Sequence, residues 1–215
     1  IIKLLTFISS RIYRLSDSLL ISSEGFRARL VELGVEEESI HYFPQWVEEV
    51  MVTPDITATR EYREIEGLLN VHSHLKKIVF TGNIGESQDI PSVLKAIEIL
   101  KQRNDFVILI VGSGREEGRV KRLVSDNGLE NHVKLLGRFP VEYMPSFYHF
   151  ADALLLPLAK DPLFEITLPG KTQSYLYAGR PIIGFLDGEG ASVLRSSKSA
   201  FICNAGNSIE LANAI

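Results

Sequence analysis

The residues best suited to chemistry lie in one stretch of the C-terminal third: Phe164, Glu165, Ile166, Thr167, Leu168, Pro169, Gly170 and Lys171, with Gln173 just beyond. Pro169 presets the backbone at a helix entrance, while Gly179 and Pro181 close that helix. The apolar run Ile182, Ile183 and Phe185 then reads as a buried strand. Lys171 therefore falls in the first helical turn, where a cation opposes the helix dipole by about 0.3 to 1 kcal/mol. An anion such as a diphosphate, completing the site, accounts for it. Glu165 is a loop carboxylate suited to accepting hydrogen bonds from sugar hydroxyls. Gln173 both accepts and donates, which suits vicinal hydroxyls. By residue type alone, Glu165 also reads as a solvated loop acid and Gln173 as an exposed helix residue.

These side chains need a scaffold, and the chain alternates short apolar runs with helical patterns. Strands are expected at 77–81, 106–111, 132–136, 153–157, 182–185 and 200–203, and helices at 91–103, 115–127, 143–150, 170–178, 189–196 and 208–215. Strands of continuous Val, Ile and Leu, each followed by a helix, imply a parallel sheet covered on both faces, an α/β architecture. Ahead of them, 1–15 has helical spacing, 18–22 and 40–46 read as strands, and a helix carrying Phe26, Leu30 and Leu33 lies between. Two strands make no stable sheet alone, so this part reads as the tail of a preceding domain. From 48 to 76 the pattern breaks into acidic, Thr-containing and His/Ser segments with a charged helical patch, the expected linker.

In an open parallel sheet ligands sit at the C-terminal strand ends. Four turns there stand out: Gly82, Asn83, Ile84, Gly85; then Gly112, Ser113, Gly114; then Gly137, Arg138, Phe139; and the loop 158–170. Gly82 and Gly85 permit a tight turn and close approach of a diphosphate to backbone amides. The same glycines also serve a strand-to-helix turn that binds nothing. A nicotinamide site requires Gly-x-Gly-x-x-Gly in the first turn and an acidic end to the second strand. The second strand here ends in Gly112, Ser113, Gly114, which weakens a dehydrogenase reading.

A net charge of -4 and a pI near 5.8 give no basic footprint, so nucleic acid is not the expected partner. Cys203 is the only cysteine, which excludes an internal disulfide and fits a reducing cytoplasm. It reads as a core residue. His41, His72, His74, His132 and His149 show no metal-ligand spacing. Tyr143, Phe147, Tyr148 and Phe150 read as packing, with Tyr143 as a candidate wall beside a nucleobase. Residues 1–8 are interrupted by Lys3 and too short to span a bilayer. The opening without Met and the end inside a helical pattern read as a fragment.

From about Ser18 onward the chain resembles the group 1 family of retaining, nucleotide-sugar-dependent glycosyltransferases with two Rossmann-like domains, the GT-B architecture. Ser22, Glu24, Gly25 and Phe26, with Phe43, Pro44, Gln45 and Trp46, resemble the end of that family's N-terminal domain. The turns 81–87, 112–114 and 137–140, the strand 153–157 and above all the cluster 164–181 resemble its C-terminal domain. The resemblance implies a remnant of the acceptor domain at 1–47, a linker at 48–76 and a donor-binding domain at 77–215.

Family members carry a Glu, seven residues and a second Glu across this cluster; here these positions are Glu165 and Gln173. The resemblance implies that Glu165 and the backbone of Ile166, Thr167 and Leu168 contact the donor sugar, that Gln173 contacts the ribose, and that Arg138 and Phe139 flank the base. The family's Arg and Lys after the first strand are missing from 82–88, which leaves Lys171 to carry more of the diphosphate charge, with Gly82, Asn83, Gly85, Gly112 and Gly114 around it. The Gly-Asn-Ile-Gly turn, with Leu-Pro-Gly-Lys and Gln173, is most similar to members that build bacterial surface polysaccharides from UDP-linked aminosugars, fucosamine transferases among them. The implied reaction is retaining hexosyl transfer from a UDP-sugar to a glycan or lipid-linked acceptor. No metal and no cofactor besides the nucleotide-sugar substrate are expected, and the implied location is cytoplasmic, peripheral at the inner face of the membrane. The fragment alone is expected to bind nucleotide without turnover. The alternatives are a nucleotide-sugar 2-epimerase and a degenerate, non-catalytic nucleotide-binding module.

Overall fold

The computed structural model describes residues 2–52 and 55–215. A small first unit contains α1 (Ile2–Arg14), β1 (Leu19–Ile21), α2 (Phe26–Glu32) and β2 (Ile40–Tyr42). The two strands pair in parallel, from Leu19 with Ile40 to Ile21 with Tyr42. Ile21, Val35 and Ile40 form its buried centre, while Leu4, Leu5, Phe7 and Ile12 of α1 are exposed. The strand expected to run to Trp46 stops at Tyr42. Phe43 still donates to the Ile21 carbonyl at 2.8 Å, but Pro44 has no N–H to extend the ladder.

The segment expected to be a linker is folded and packed. It holds α3 (Arg60–Leu69), capped by Thr59, whose hydroxyl accepts from the Tyr62 N–H at 3.1 Å. Met51, Ile65 and Leu69 are buried in the core of the following sheet. The charged helical patch read in this segment is this helix, and its Ile65 and Leu69 belong to the core of the sheet. Thr53 and Pro54 of the same segment lie outside the described residues.

The second unit continues with β3 (Lys76–Thr81), α4 (Ile90–Ile99), β4 (Phe106–Val111), α5 (Glu117–Asp126), β5 (Val133–Gly137), α6 (Met144–Phe150) and β6 (Ala153–Pro157). It closes with α7 (Pro162–Glu165), α8 (Thr172–Tyr177), β7 (Ile182–Phe185), α9 (Gly188–Ser197), β8 (Ala200–Cys203) and α10 (Ser208–Ala214). The six strands are ordered β5-β4-β3-β6-β7-β8, all paired in parallel. This is the expected α/β, Rossmann-like sheet.

Side chains of β3 and β4 alternate between two cores. Ile78, Phe80, Ile108 and Ile110 face α4, α5 and α10, packing with Val93, Ile97, Val120 and Leu211. Val79, Val107, Leu109 and Val111 face the other way, packing with Ile65, Phe147, Tyr175 and Leu194. Both faces are covered, which is why every residue of β4 is buried. Cys203 is a buried free thiol in the first of these cores. The chain direction of winding reverses between β3 and β6, which are neighbours through Ile78 with Ala153 and Val79 with Leu154. A crevice at the C-terminal ends of these two strands is where such a sheet binds ligands.

Candidate functional site

The turns after β3 and β4 are locked together by main chain. The Gly82 N–H donates to Val111 at 2.9 Å, Ile84 to Ser113 at 2.9 Å, and Gly112 to Gly137 at 2.7 Å. Gly112 has φ +148°, and a Cβ there would sit 1.8 Å from the Gly82 carbonyl oxygen. Only glycine fits. Gly114 is equally confined, 2.3 Å from the Ile84 oxygen by the same measure. A cleft of about 560 Å³ opens above this floor, lined by Gly82, Asn83, Gly112, Ser113, Arg138 and Phe139, with Val141 and Met144 on its wall. Three of the expected strand-end turns therefore meet in one cavity.

Tyr143 is not part of that wall. Its hydroxyl donates to Glu64 on α3 at 2.6 Å, and the carboxylate beside it raises its pKa. Phe139 stacks on Tyr143 and Phe147 at ring separations of 5.5 and 5.0 Å, so packing holds it in place. Arg138 is exposed.

Lys171 stands at the other side of Gly82. Its ammonium would lie 2.7 Å from a Cβ on Gly82 and is 4.3 Å from the centroid of the Phe80 ring. It makes no hydrogen bond or ion pair among the described residues. Burial lowers its pKa from the ordinary 10.5 to about 8. The ammonium thus lies against an aromatic ring and Gly82, with no carboxylate paired to it among the described residues. Lys171 occupies the N-cap of α8, one place earlier than a first-turn position, because the Pro169 carbonyl accepts from Thr172 at 2.9 Å and closes a turn first. The N–H groups of Gly170 and Lys171 have no acceptor among the described residues.

The loop expected at 158–170 contains α7. Asp161 caps it, accepting from Leu163 N at 2.8 Å, and Pro162 takes the first helical position. Glu165 ends this helix, exposed and without a side-chain partner among the described residues. The backbone after it is already engaged: Thr167 N–H donates to the Phe164 carbonyl at 3.1 Å and Leu168 N–H to the Ser23 hydroxyl at 3.0 Å. The free amides in this stretch are thus those of Gly170 and Lys171, C-terminal to the expected Thr167 and Leu168. The Gln173 side-chain amide donates to the Gln45 side-chain oxygen Oε1 at 3.1 Å and to the Gly170 main-chain carbonyl.

Sequence reasoning passed over Ser23 and Glu189. Ser23 is buried, its hydroxyl 2.6 Å from the Ile166 oxygen and 2.7 Å from a Glu189 carboxylate oxygen. Glu189 also accepts from the N–H groups of Glu24 at 2.8 Å and Gly25 at 2.6 Å. The signal was present in Gly188, Glu189, Gly190, an acid between glycines after β7 on the same rim.

Among the described residues no His, Cys, Asp and Glu cluster suits a metal, and no helix is long and apolar enough to cross a membrane. The family model for group 1 glycosyl transferases matches residues 75–215. The chain is 26% identical over 170 residues to WcaI of Escherichia coli K12, a protein named for glycosyl transfer in colanic acid biosynthesis, covering 76% of the chain and 39% of that protein. It is 25% identical over 195 residues to WbjE of Pseudomonas aeruginosa, named a glycosyltransferase, covering 90% and 46%. The chain therefore spans less than half the length of these relatives. Among solved structures, Anabaena HepE with UDP-glucose superposes with a TM-score of 0.79 at 15% identity, over 97% of this chain and 56% of that one. WaaG, a glycosyltransferase of lipopolysaccharide biosynthesis, superposes at 0.70 with 14% identity, over 92% and 52%. Both likenesses are of fold. With two thirds of its residues under the family model, the chain belongs to the group 1 glycosyltransferase family, and residues 75–215 correspond to its C-terminal domain.

Proposed function

We propose that the chain is the donor-binding portion of a retaining glycosyltransferase that moves a sugar from a UDP-linked donor to a glycan or lipid-linked acceptor in surface polysaccharide synthesis. The observation that carries this reading is the unpartnered, desolvated ammonium of Lys171 beside Gly82 at the sheet's switch point. The base lies in the cleft by Arg138 and Phe139, the diphosphate between Gly82 and Lys171, and the sugar toward Glu165. The presence of UDP-glucose in the HepE structure supports a uridine donor. Residues 1–47 supply an edge of the acceptor-side unit, and the exposed apolar face of α1 accords with that assignment.

In this reading the bond from the anomeric carbon to the diphosphate oxygen breaks, and a bond to the acceptor oxygen forms on the same face. The acceptor proton passes to the departing phosphate. Lys171 and the amides of Gly170 and Lys171 stabilise the charge that grows on that phosphate. Neither a metal nor a further cofactor has a part in these steps.

Calorimetry with UDP, GDP, ADP and NAD tests the assignment. UDP is expected to bind and NAD is not; silence with every nucleoside diphosphate would overturn it. In the longer protein, release of an epimerised free sugar without acceptor would identify a 2-epimerase instead.

A further inference from the structure

We infer that Ser23 and Glu189 are positioning residues for the sugar-proximal half of the donor site, a role that rests on the nucleotide-sugar reading above. Glu165 and Lys171, assigned to the sugar and the diphosphate, are joined by a short main-chain segment. That segment is tied at two points to one buried hydroxyl: Ser23 faces the Ile166 carbonyl at 2.6 Å and accepts from the Leu168 N–H at 3.0 Å. Ser23 is itself held by Glu189 at 2.7 Å, whose carboxylate also gathers the Glu24 and Gly25 amides at 2.8 and 2.6 Å.

The spacing is tight on both sides of the segment. A Cβ on Gly25 would lie 2.7 Å from the Ile166 Cα, and one on Gly188 would lie 1.9 Å from the Glu165 carbonyl oxygen. The segment is therefore clamped between the turn before α2 and the first residues of α9. A single carboxylate serves both turns: it accepts from the Glu24 and Gly25 amides, and it shares the one proton of the Ser23 hydroxyl with the Ile166 carbonyl. Cutting the clamp leaves Gly82 and the cleft untouched but gives slack to the path between Glu165 and Lys171. Misplacement of binding groups by about 1 Å is enough to lose a factor on the order of a hundred in a positioned reaction. The affected ligand atoms are those of the sugar, because the ties fall at Ile166 and Leu168, the base cleft is built on β3, β4 and β5, and Lys171 is held separately by α8, its carbonyl accepting from the Tyr175 N–H at 3.0 Å.

Calorimetry of this chain with UDP and UDP-glucose tests the inference, using Ser23→Ala, Ser23→Thr and Glu189→Gln. The wild type is expected to bind UDP-glucose more tightly than UDP. Ser23→Ala and Glu189→Gln should bring that ratio toward one while UDP affinity stays within about twofold, and Ser23→Thr, which keeps a hydroxyl, should restore it. An unchanged ratio in Glu189→Gln overturns the role, as does equal wild-type affinity for the two ligands. Loss of both ligands together also overturns it, since the pair would then serve the fold. If Ser23→Ala does not fold, Glu189→Gln decides alone. Failure of the wild type to bind UDP at all refutes the donor reading itself and is separate from these outcomes.

Discussion

The ammonium of Lys171 lies 4.3 Å from the centroid of the Phe80 ring, with no carboxylate paired to it among the described residues. An aromatic face compensates a cation only in part, so the charge is held at the expense of hydration. The lowering of its pKa to about 8 reports that imbalance.

A bound diphosphate supplies the missing charge and raises the Lys171 pKa again. Binding therefore takes up a proton when the free ammonium is partly deprotonated. Between the second ionisation of the terminal phosphate, at about pH 6, and pH 8 the affinity for UDP is expected to be level, and above pH 8 it should fall by up to about tenfold per pH unit. Calorimetry in buffers of different ionisation enthalpy checks the proton uptake. At pH 7, Lys171→Ala should cost about 1.5 to 3 kcal/mol of UDP affinity, the range for a charge-assisted hydrogen bond.

The same residue makes a stability prediction of known sign. Unfolded Lys171 titrates near 10.5 and the folded one at about 8, so between these values the unfolded chain binds more protons. Stability attributable to this residue rises with pH across that window and is level below it. In ligand-free protein, Lys171→Met should unfold at higher urea than wild type at pH 7, and its advantage should shrink by pH 10.

Thr81 closes β3 with its N–H donating to the buried Tyr175 hydroxyl at 3.0 Å, while its own hydroxyl meets Tyr148 at 2.9 Å. Tyr175→Phe leaves that N–H without an acceptor and should cost about 1 to 3 kcal/mol in urea unfolding. Burial pushes the Tyr148 pKa up to about 12 and that of Tyr175 further in the same direction. Both phenols should stay silent when phenolate absorbance is followed to pH 11 in folded protein. Above pH 10 the unfolded tyrosines ionise first, so their contribution to stability falls.

Gly112→Ala brings a methyl group to 1.8 Å from the Gly82 oxygen at φ +148°. The turn must move or the β3 and β4 ends must part. A loss of about 3 kcal/mol or more is expected. Denaturant unfolding measures it, and UDP affinity should fall with it because Gly82 lies in the displaced turn.

Gln45 and Gln173 meet across the two units at 3.1 Å. A double-mutant cycle to alanine should give a coupling of about 0.5 kcal/mol in unfolding, modest because both side chains are exposed. Additive single mutants would show that the contact is not made in solution.

The alternation that builds β3 to β8 was legible because fully buried parallel strands are continuous apolar runs, as in Phe106–Val111. Lys171 beside Gly82 was legible too, since both follow elements that end on one rim. The short α7 was missed although Asp161 and Pro162 mark its start, because one helical turn has no periodicity to detect. Ser23 and Glu189 were missed for a different reason. Each is satisfied by main-chain groups far away in the chain, 166 positions separating the two, and a hydroxyl or acid carries no mark of that partner. Tyr143 looked like a cleft wall by type, but Glu64 on the packed α3 claims its hydroxyl.

The contact of Gly112 with the Gly82 carbonyl has an evolutionary consequence. At Gly82 and Gly112 the floor of the cleft is bare peptide, so no side chain at these two positions can drift. Arg138, Val141 and Met144 stand on the walls and are free to change by ordinary substitution. With the donor site as proposed, a lineage can exchange one nucleotide preference for another by repainting the walls, while the glycine floor resists gradual change.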